Sequence, residues 1–506
     1  MSRVLGCALQ GVDGAPIEVE VRLSSQLPRV DIVGLPEAAV RESAARVRSA
    51  IAAVGQRFPD RRVIVNLAPA GIKKSGAGLD LPIAIGILAA EGAIEPEALA
   101  GLGLVGELAL DGRIRPVRGA LPLVLALLDA GCERVIAPAS NETEVGLAPG
   151  DRVLLADSLQ AVLGALIAGH TLRVPADADP EPAAIPGGPD LAQVRGQAGP
   201  KRALEIAAAG GHGTLLRGAP GSGKTLLARV LPSLLPPLSR GEALEVTRIW
   251  SAAGGLDPEI PWIRHRPFRA PHHSATRAGM LGGGTPPRPG EVSLAHRGVL
   301  FLDELPEFER RTLESMRQIL EDGEVAISRA AARLTFPSHF QWIAAANPCP
   351  CGWYQSGVRD CRCDEATIAR YDAKLSGPLL DRIDLHVAVR PVPWAELDAP
   401  FAGGADGSAA VRLRVDAARQ IQSRRMDAHG LTIETNATIP AEALEAAINA
   451  DAAARDLLGR AVERLGLSAR AAHRTMRVAR TIADLGGADT VGVDAMAEAI
   501  GLRALP

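Results

Sequence analysis

Eight consecutive residues, Gly218-Ala219-Pro220-Gly221-Ser222-Gly223-Lys224-Thr225, satisfy the pattern Gly-x-x-x-x-Gly-Lys-Ser/Thr in full. They follow the strand-like TLLRG and precede the helix-like LLARVLPSLL, which is the context a phosphate-binding loop requires. Glycines let successive backbone N–H groups curl around phosphate oxygens, and the following helix aims its positive end at them. Lys224 is expected to reach the β- and γ-phosphates of ATP, and the Thr225 hydroxyl to ligate Mg²⁺. Downstream, the apolar run Val299–Leu302 ends in Asp303 and Glu304. Two acids after an apolar run can simply end a strand. Beside a complete phosphate loop, Asp303 reads as the Mg²⁺ partner and Glu304 as the base that polarises the attacking water. A third apolar run, Phe340 to Ala346, ends at Asn347, which either orients that water or only forms a turn before Pro348.

Other residues carry chemistry of their own. Cys349-Pro-Cys351 and Cys361-Arg-Cys363 lie in one short Gly-containing loop and can place four thiolates around a tetrahedral ion, for which Zn²⁺ is suited; free thiols are the alternative. Cys7 and Cys132 read as ordinary buried thiols. His272 and His273 lack further ligands at metal spacing, and a pore-loop or interface role is expected of them. They fall in RHRPFRAPHHSATRAGMLGGG, a basic excursion too long for a simple crossover. Residues 323–334 alternate as a hairpin would, and their Arg329 and Arg333 either touch DNA phosphates or pair with acids at subunit contacts. Near the C-terminus Arg470, Arg474 and Arg477 share one helical face; the last two read as a solvated basic stripe.

These residues must be positioned by more than one domain, since 506 residues exceed one ordinary core. A Pro-rich acidic stretch at 171–190 and a Gly-rich one at 399–410 read as linkers. They separate an N-terminal block (1–170) mixing strand and helix patterns, a central block (191–398) and a helical C-terminal block (411–506). Strands alternate with helices in the central block, predicting a mostly parallel sheet. The fold class is therefore α/β. With 55 basic and 58 acidic residues the molecule is no polycation, so nucleic-acid contact requires a local basic surface. Only 3% of residues are aromatic, against a broad base-stacking platform. The opening MSRVLGCALQGVDG carries no secretory signature, and no apolar run reaches the ~18 residues a bilayer demands. A cytoplasmic protein with reduced cysteines and no membrane partner is expected.

Long phrases, among them RGQAGPKRALEIAAAGGHGTLLRGAPGSGKT, RPFRAPHHSAT, GVLFLDELPEF, ANPCPCG and SGPLLDRIDLH, resemble the magnesium-chelatase-like AAA+ proteins of the YifB/ComM family. The resemblance covers nearly the whole chain. It implies an AAA+ ATPase core with Asn347 at the sensor-1 position, Arg382 as an arginine finger reaching a neighbour's γ-phosphate, and Arg470 as the sensor-2 arginine of a helical lid. It also implies a homo-hexameric ring acting on single-stranded and branched DNA, with branch migration in natural transformation and a recombinase filament as a partner. The N-terminal block is similar to the proteolytic domain of Lon, a ribosomal S5 domain 2-like α+β fold. There Gly76 stands where the serine nucleophile belongs and Leu121 where the lysine belongs, so a protease-like domain without peptidase activity is expected. A magnesium-chelatase motor inserting Mg²⁺ into a porphyrin, and a Lon-like ATP-dependent protease, are the alternatives.

Overall fold

The computed structural model describes residues 1–176, 188–257, 262–284, 287–329, 332–398 and 407–503; the side chains of Arg329 and Arg333, and most of both expected linkers, lie outside the described residues. The N-terminal block builds a seven-stranded mixed sheet, in the order Val30–Val33, Arg62–Ala68, Asp13–Ser24, Ser2–Gln10, Leu102–Leu104, Arg134–Pro138, Val153–Ala156. Period-two alternation decides which face is covered: Ile17, Val19 and Val21 of one strand are fully buried. The helix Asp80–Glu91 packs on that face so closely that a Cβ at Gly86 would lie 2.8 Å from Val21 Cγ2.

The central block forms a five-stranded, wholly parallel sheet, ordered Phe268–Arg269, Val299–Leu302, Gln341–Ala346, Thr214–Arg217, Leu385–Ala388. The first strand in sequence, Thr214–Arg217, is internal, so the chain leaves it toward one edge and returns on its other side. Such a switch opens a crevice beyond the strand's C-terminal end, where α/β sheets bind ligands. The basic excursion differs from expectation: it supplies the sheet's edge strand, Phe268–Arg269, before continuing into the helix Arg277–Leu281. The expected hairpin is present, Glu324–Arg329 pairing antiparallel with Ala332–Pro337.

The lid is helical: Ser408–Ala428, Ala452–Leu465, Ala469–Leu485 and Val493–Gly501. Its first helix begins inside the stretch expected to be linker. Ser408 Oγ accepts from Leu191 N at 2.8 Å and meets Ser233 Oγ at 2.7 Å, joining the start of the core to the start of the lid. One apolar cluster runs through both, holding Leu216 and Val230 with Val415, Met426 and Val478.

The N-terminal block is docked on the central block of the same chain. Its turn residue Val12 is buried among central residues such as Phe336 and Val325. Glu144 accepts from Leu121 N (2.9 Å) and Asn141 Nδ2 (3.1 Å), and from Ser251 Oγ on the central helix Arg240–Ala253. Burial raises the Glu144 carboxyl above its ordinary range, against these donors. Of the two positions matched to the dyad, Gly76 lies in a left-handed turn (φ 83°) and Leu121 is fully buried. The neighbouring Lys74 is buried with its Nζ on Pro69 O, and Ser75 Oγ faces Leu9 O at 3.4 Å.

Candidate nucleotide site

Three of the parallel strands end side by side, and each delivers one element of the site. Past Thr214–Arg217, Gly221 (φ 75°) and Gly223 (φ 93°) adopt left-handed backbone that other residues adopt only under strain. The helix Lys224–Leu234 then begins with no side chain capping its first turn. Its leading N–H groups are therefore free to meet an anion. Lys224 Nζ donates to Gly218 O (2.7 Å), Ala219 O (2.9 Å) and Asn347 Oδ1 (3.1 Å). Burial lowers its pKa, partly offset by the nearby Asp303 and Glu304 carboxylates. Thr225 Oγ1 donates to Asp303 Oδ2 at 3.0 Å. The sequence-predicted Lys224, Thr225, Asp303 and Asn347 are thus brought together from three strand ends.

The residues fit a magnesium nucleoside triphosphate. Ser222 Oγ is buried without a hydrogen-bond partner among the described residues, and nothing lies within 4 Å of a Cβ added at Gly221 or Gly223. Beside the loop opens a cavity of about 930 Å³ lined by Gly196, Gln197, Lys201, Val392, Val411 and Arg414. It is large enough for a nucleoside. Gln197 Nε2 joins it to the loop by donating to Ser222 O (3.1 Å) and Arg390 O (2.6 Å). In such a complex the loop N–H groups and Lys224 would hold the phosphates, and Thr225 with Asp303 would hold the cation. A triphosphate bound there would supply a phosphoryl group for transfer to water.

Glu304 stands at the rim in left-handed backbone (φ 51°), its N–H donating to Asp303 Oδ1 at 2.9 Å. Its Oε2 lies 3.2 Å from His273 Nδ1. His273 stacks 4.1 Å from the His272 ring and meets Phe308 edge-on at 6.5 Å. The expectation of a pore-loop or interface role did not include this contact of His273 with Glu304. A signal was present in the parallel register. Arg269 pairs with Leu300, so the residues four places further on, His273 and Glu304, emerge side by side. The cavity beside Gln197 was also missed, because its lining comes from scattered segments, among them Gln197, Lys201, Arg390 and Arg414, that form no motif.

The arginines sort differently from their expected grouping. Arg382 is almost covered, ion-paired with Glu321 and donating to Pro378 O at 2.8 Å. Arg470 is exposed and unpaired among the described residues. The cap of its helix, Ser468, reaches Asp381 Oδ2, next to Arg382 in sequence, at 3.4 Å. Arg474 and Arg477 are not a solvated stripe. Arg474 Nη1 bonds the buried Asp384 Oδ1 at 2.5 Å, and Arg477 Nε donates to Ile439 O at 3.0 Å. Burial opposes ionisation of Asp384, but Arg474 and His212 outweigh it and hold the carboxyl well below its usual range. The same Asp384 lies 3.2 Å from His212 Nδ1, whose other nitrogen meets Thr481 Oγ1 of the lid at 2.8 Å.

Family profiles for magnesium chelatase subunit ChlI match residues 190–397 and 19–141, and one for its C-terminal part matches 405–503. The chain is 44% identical to Escherichia coli YifB over 498 residues, covering 98% of this chain and 96% of that protein. It is 42% identical to the competence protein ComM of Haemophilus influenzae over 501 residues, with the same two coverages. The chain belongs to the YifB/ComM family of magnesium-chelatase-like ATPases. A shorter match, 27% identity over 181 residues, or 34% of this chain and 21% of that protein, links it to a Lon protease of Salinispora arenicola. Lon-like and AAA+ components thus stand together in this YifB/ComM family member, as the two sheets imply. Among the described residues no helix is long and apolar enough to cross a membrane.

Proposed function

We propose that the chain is a ring-forming ATPase that moves along DNA, a branch-migration helicase promoting recombination in natural transformation. The observation that carries this reading is its 42% identity to a competence protein across 98% of its own length, N-terminal domain included. A magnesium-chelatase subunit matches only 39% of the chain, at 29% identity. ATP and Mg²⁺ are the proposed cofactors, with Zn²⁺ in the four-cysteine loop. Lys224, Thr225 and Asp303 bind Mg·ATP, Glu304 and Asn347 govern the attacking water, and Arg382 acts on the nucleotide of an adjoining subunit. Arg470 acts as the sensor-2 arginine of the helical lid. The working form is a cytoplasmic homo-hexamer with single-stranded or branched DNA in its opening, cooperating with a recombinase filament. The hairpin Glu324–Pro337 bears Arg329 and Arg333, which grip phosphates without reading sequence. It packs beside the turn at Gly282, where a Cβ would lie 3.3 Å from Ile327 Cδ1, so the hairpin and the end of the basic excursion are neighbours.

The test is ATP hydrolysis by purified protein with and without single-stranded DNA, together with unwinding of a three-way junction. Stimulated hydrolysis and junction unwinding are expected. Hydrolysis indifferent to DNA, with Mg²⁺ insertion into a porphyrin, would move the assignment to the chelatase class.

A further inference from the structure

The four-cysteine loop has a geometry that free thiols do not require. Cys349 Sγ lies 3.4 Å from Cys351 Sγ and 3.7 Å from Cys361 Sγ, and the last two are 3.6 Å apart. Cys363 completes a set whose sulfurs all fall within 4.8 Å of one another. A tetrahedral ion with Zn–S bonds of about 2.3 Å separates its sulfurs by about 3.8 Å. The observed edges match that figure and are far longer than a disulfide, which no pair forms. An iron–sulfur cluster would hold its thiolates on separate irons and spread them wider.

Backbone donors also converge on the sulfurs. Tyr354 N and Cys363 N donate to Cys349 Sγ and Cys361 Sγ, each at 3.4 Å. Such N–H groups orient sulfur ligands around metal ions. Four soft thiolates in a compact tetrahedron select Zn²⁺ among the common divalent ions.

The loop also touches the nucleotide site at three points. Cys349 follows Asn347 by two residues, and Asn347 holds Lys224. Pro348 O, between them, accepts from Arg217 Nη2 at 3.2 Å, at the end of the phosphate-loop strand. Gly352 (φ 82°) lies against the phosphate loop itself, so that a Cβ there would stand 2.5 Å from Pro220 Cδ. We infer that one Zn²⁺ held by Cys349, Cys351, Cys361 and Cys363 is a strut behind the phosphate loop, so that metal occupancy and nucleotide affinity are linked. The inference rests on the zinc and ATP readings above and needs nothing of the DNA reading. Without the ion, the loop has no covalent or apolar core of its own to hold Asn347 and Pro220 in place.

The experiment uses the full chain. Elemental analysis of reduced protein is expected to find about one zinc per chain. Cobalt(II) substitution is expected to give the intense visible bands of a tetrahedral thiolate site. Binding of a fluorescent ATP analogue is then compared between zinc-loaded protein, chelator-treated protein, Cys361→Ser and Gly352→Ala. Loss of zinc, by chelator or by Cys361→Ser, is expected to weaken nucleotide binding about tenfold or more, with zinc re-addition restoring the chelated sample. Gly352→Ala is expected to keep its zinc yet bind nucleotide more weakly, which separates the contact from general unfolding. Absence of zinc and of the cobalt spectrum would overturn the inference, as would unchanged nucleotide affinity in metal-free protein. Zinc-loaded wild-type protein that bound no nucleotide would overturn the linkage through the ATP reading, with the zinc count then reporting on the metal site alone.

Discussion

Lys224 has three acceptors within hydrogen-bond reach but, among the described residues, no direct carboxylate partner. A buried ammonium held only by neutral oxygens is poised for an anion that would replace them. Lys224→Ala is therefore expected to abolish nucleotide binding, measured with a fluorescent ATP analogue. Glu304→Gln is expected to bind nucleotide normally while losing at least about 10²-fold in turnover, the scale of a lost general base. Robust hydrolysis by that variant would remove Glu304 from the role. At this scale the sequence was most legible where chemistry is carried by a contiguous pattern or by residues just past apolar runs. Lys224, Thr225, Asp303 and Asn347 have that character. His273 does not, because its significance arises from a neighbour 31 positions away in sequence, and only the strand register brings Glu304 beside it. Arg474 was misread for a related reason. Helical spacing gives the face a residue occupies, whereas its burial depends on Asp384 arriving from another element.

Two elements lend themselves to tests of their own. In the lid helix Ala469–Leu485, Arg474 neutralises an Asp384 that is only 3% exposed. Arg474→Ala leaves that charge buried beside His212 and is expected to cost about 3 kcal/mol. Thermal unfolding should show the loss, and Asp384→Asn in the same background should recover most of it; no recovery would mean the arginine acts by packing alone. In the hairpin Glu324–Pro337, Arg329→Ala and Arg333→Ala are each expected to weaken DNA binding uniformly across sequences. Each should lower the salt slope of log affinity by about 1, read by fluorescence anisotropy over a salt series. An unchanged slope would assign these arginines to protein contacts. The hairpin was legible from its alternation, and the parallel sheet from alternating strands and helices. The edge strand Phe268–Arg269 was not, since two residues inside a basic, Pro- and His-bearing segment carry no period.

At the scale of the whole molecule, the proposed ring divides the work of hydrolysis between neighbours. Among the described residues, the phosphate-loop lysine has no arginine contacting it, whereas Arg382 is held by Glu321 of its own chain. Setting one protomer's loop against its neighbour's Arg382 is a heterologous contact, which forms a ring where the rotation closes. In the proposed ring Arg382 would exchange Glu321 for the neighbour's phosphate, and the ion pair would belong to the unassembled state. Arg382→Ala is expected to bind ATP but lose about 10³-fold in hydrolysis, the scale of an arginine finger. Lys224→Ala is inactive for the opposite reason, lacking its own nucleotide. Mixing the two dead chains places an intact loop beside an intact Arg382 wherever the right pair adjoins, and hydrolysis should return in proportion to the frequency of such pairs. Glu321→Ala, by releasing the arginine, should favour assembly at lower protein concentration. If the mixture stays as inactive as its components while mixed rings are seen to form, Arg382 serves its own chain, and the division of labour between neighbours is wrong.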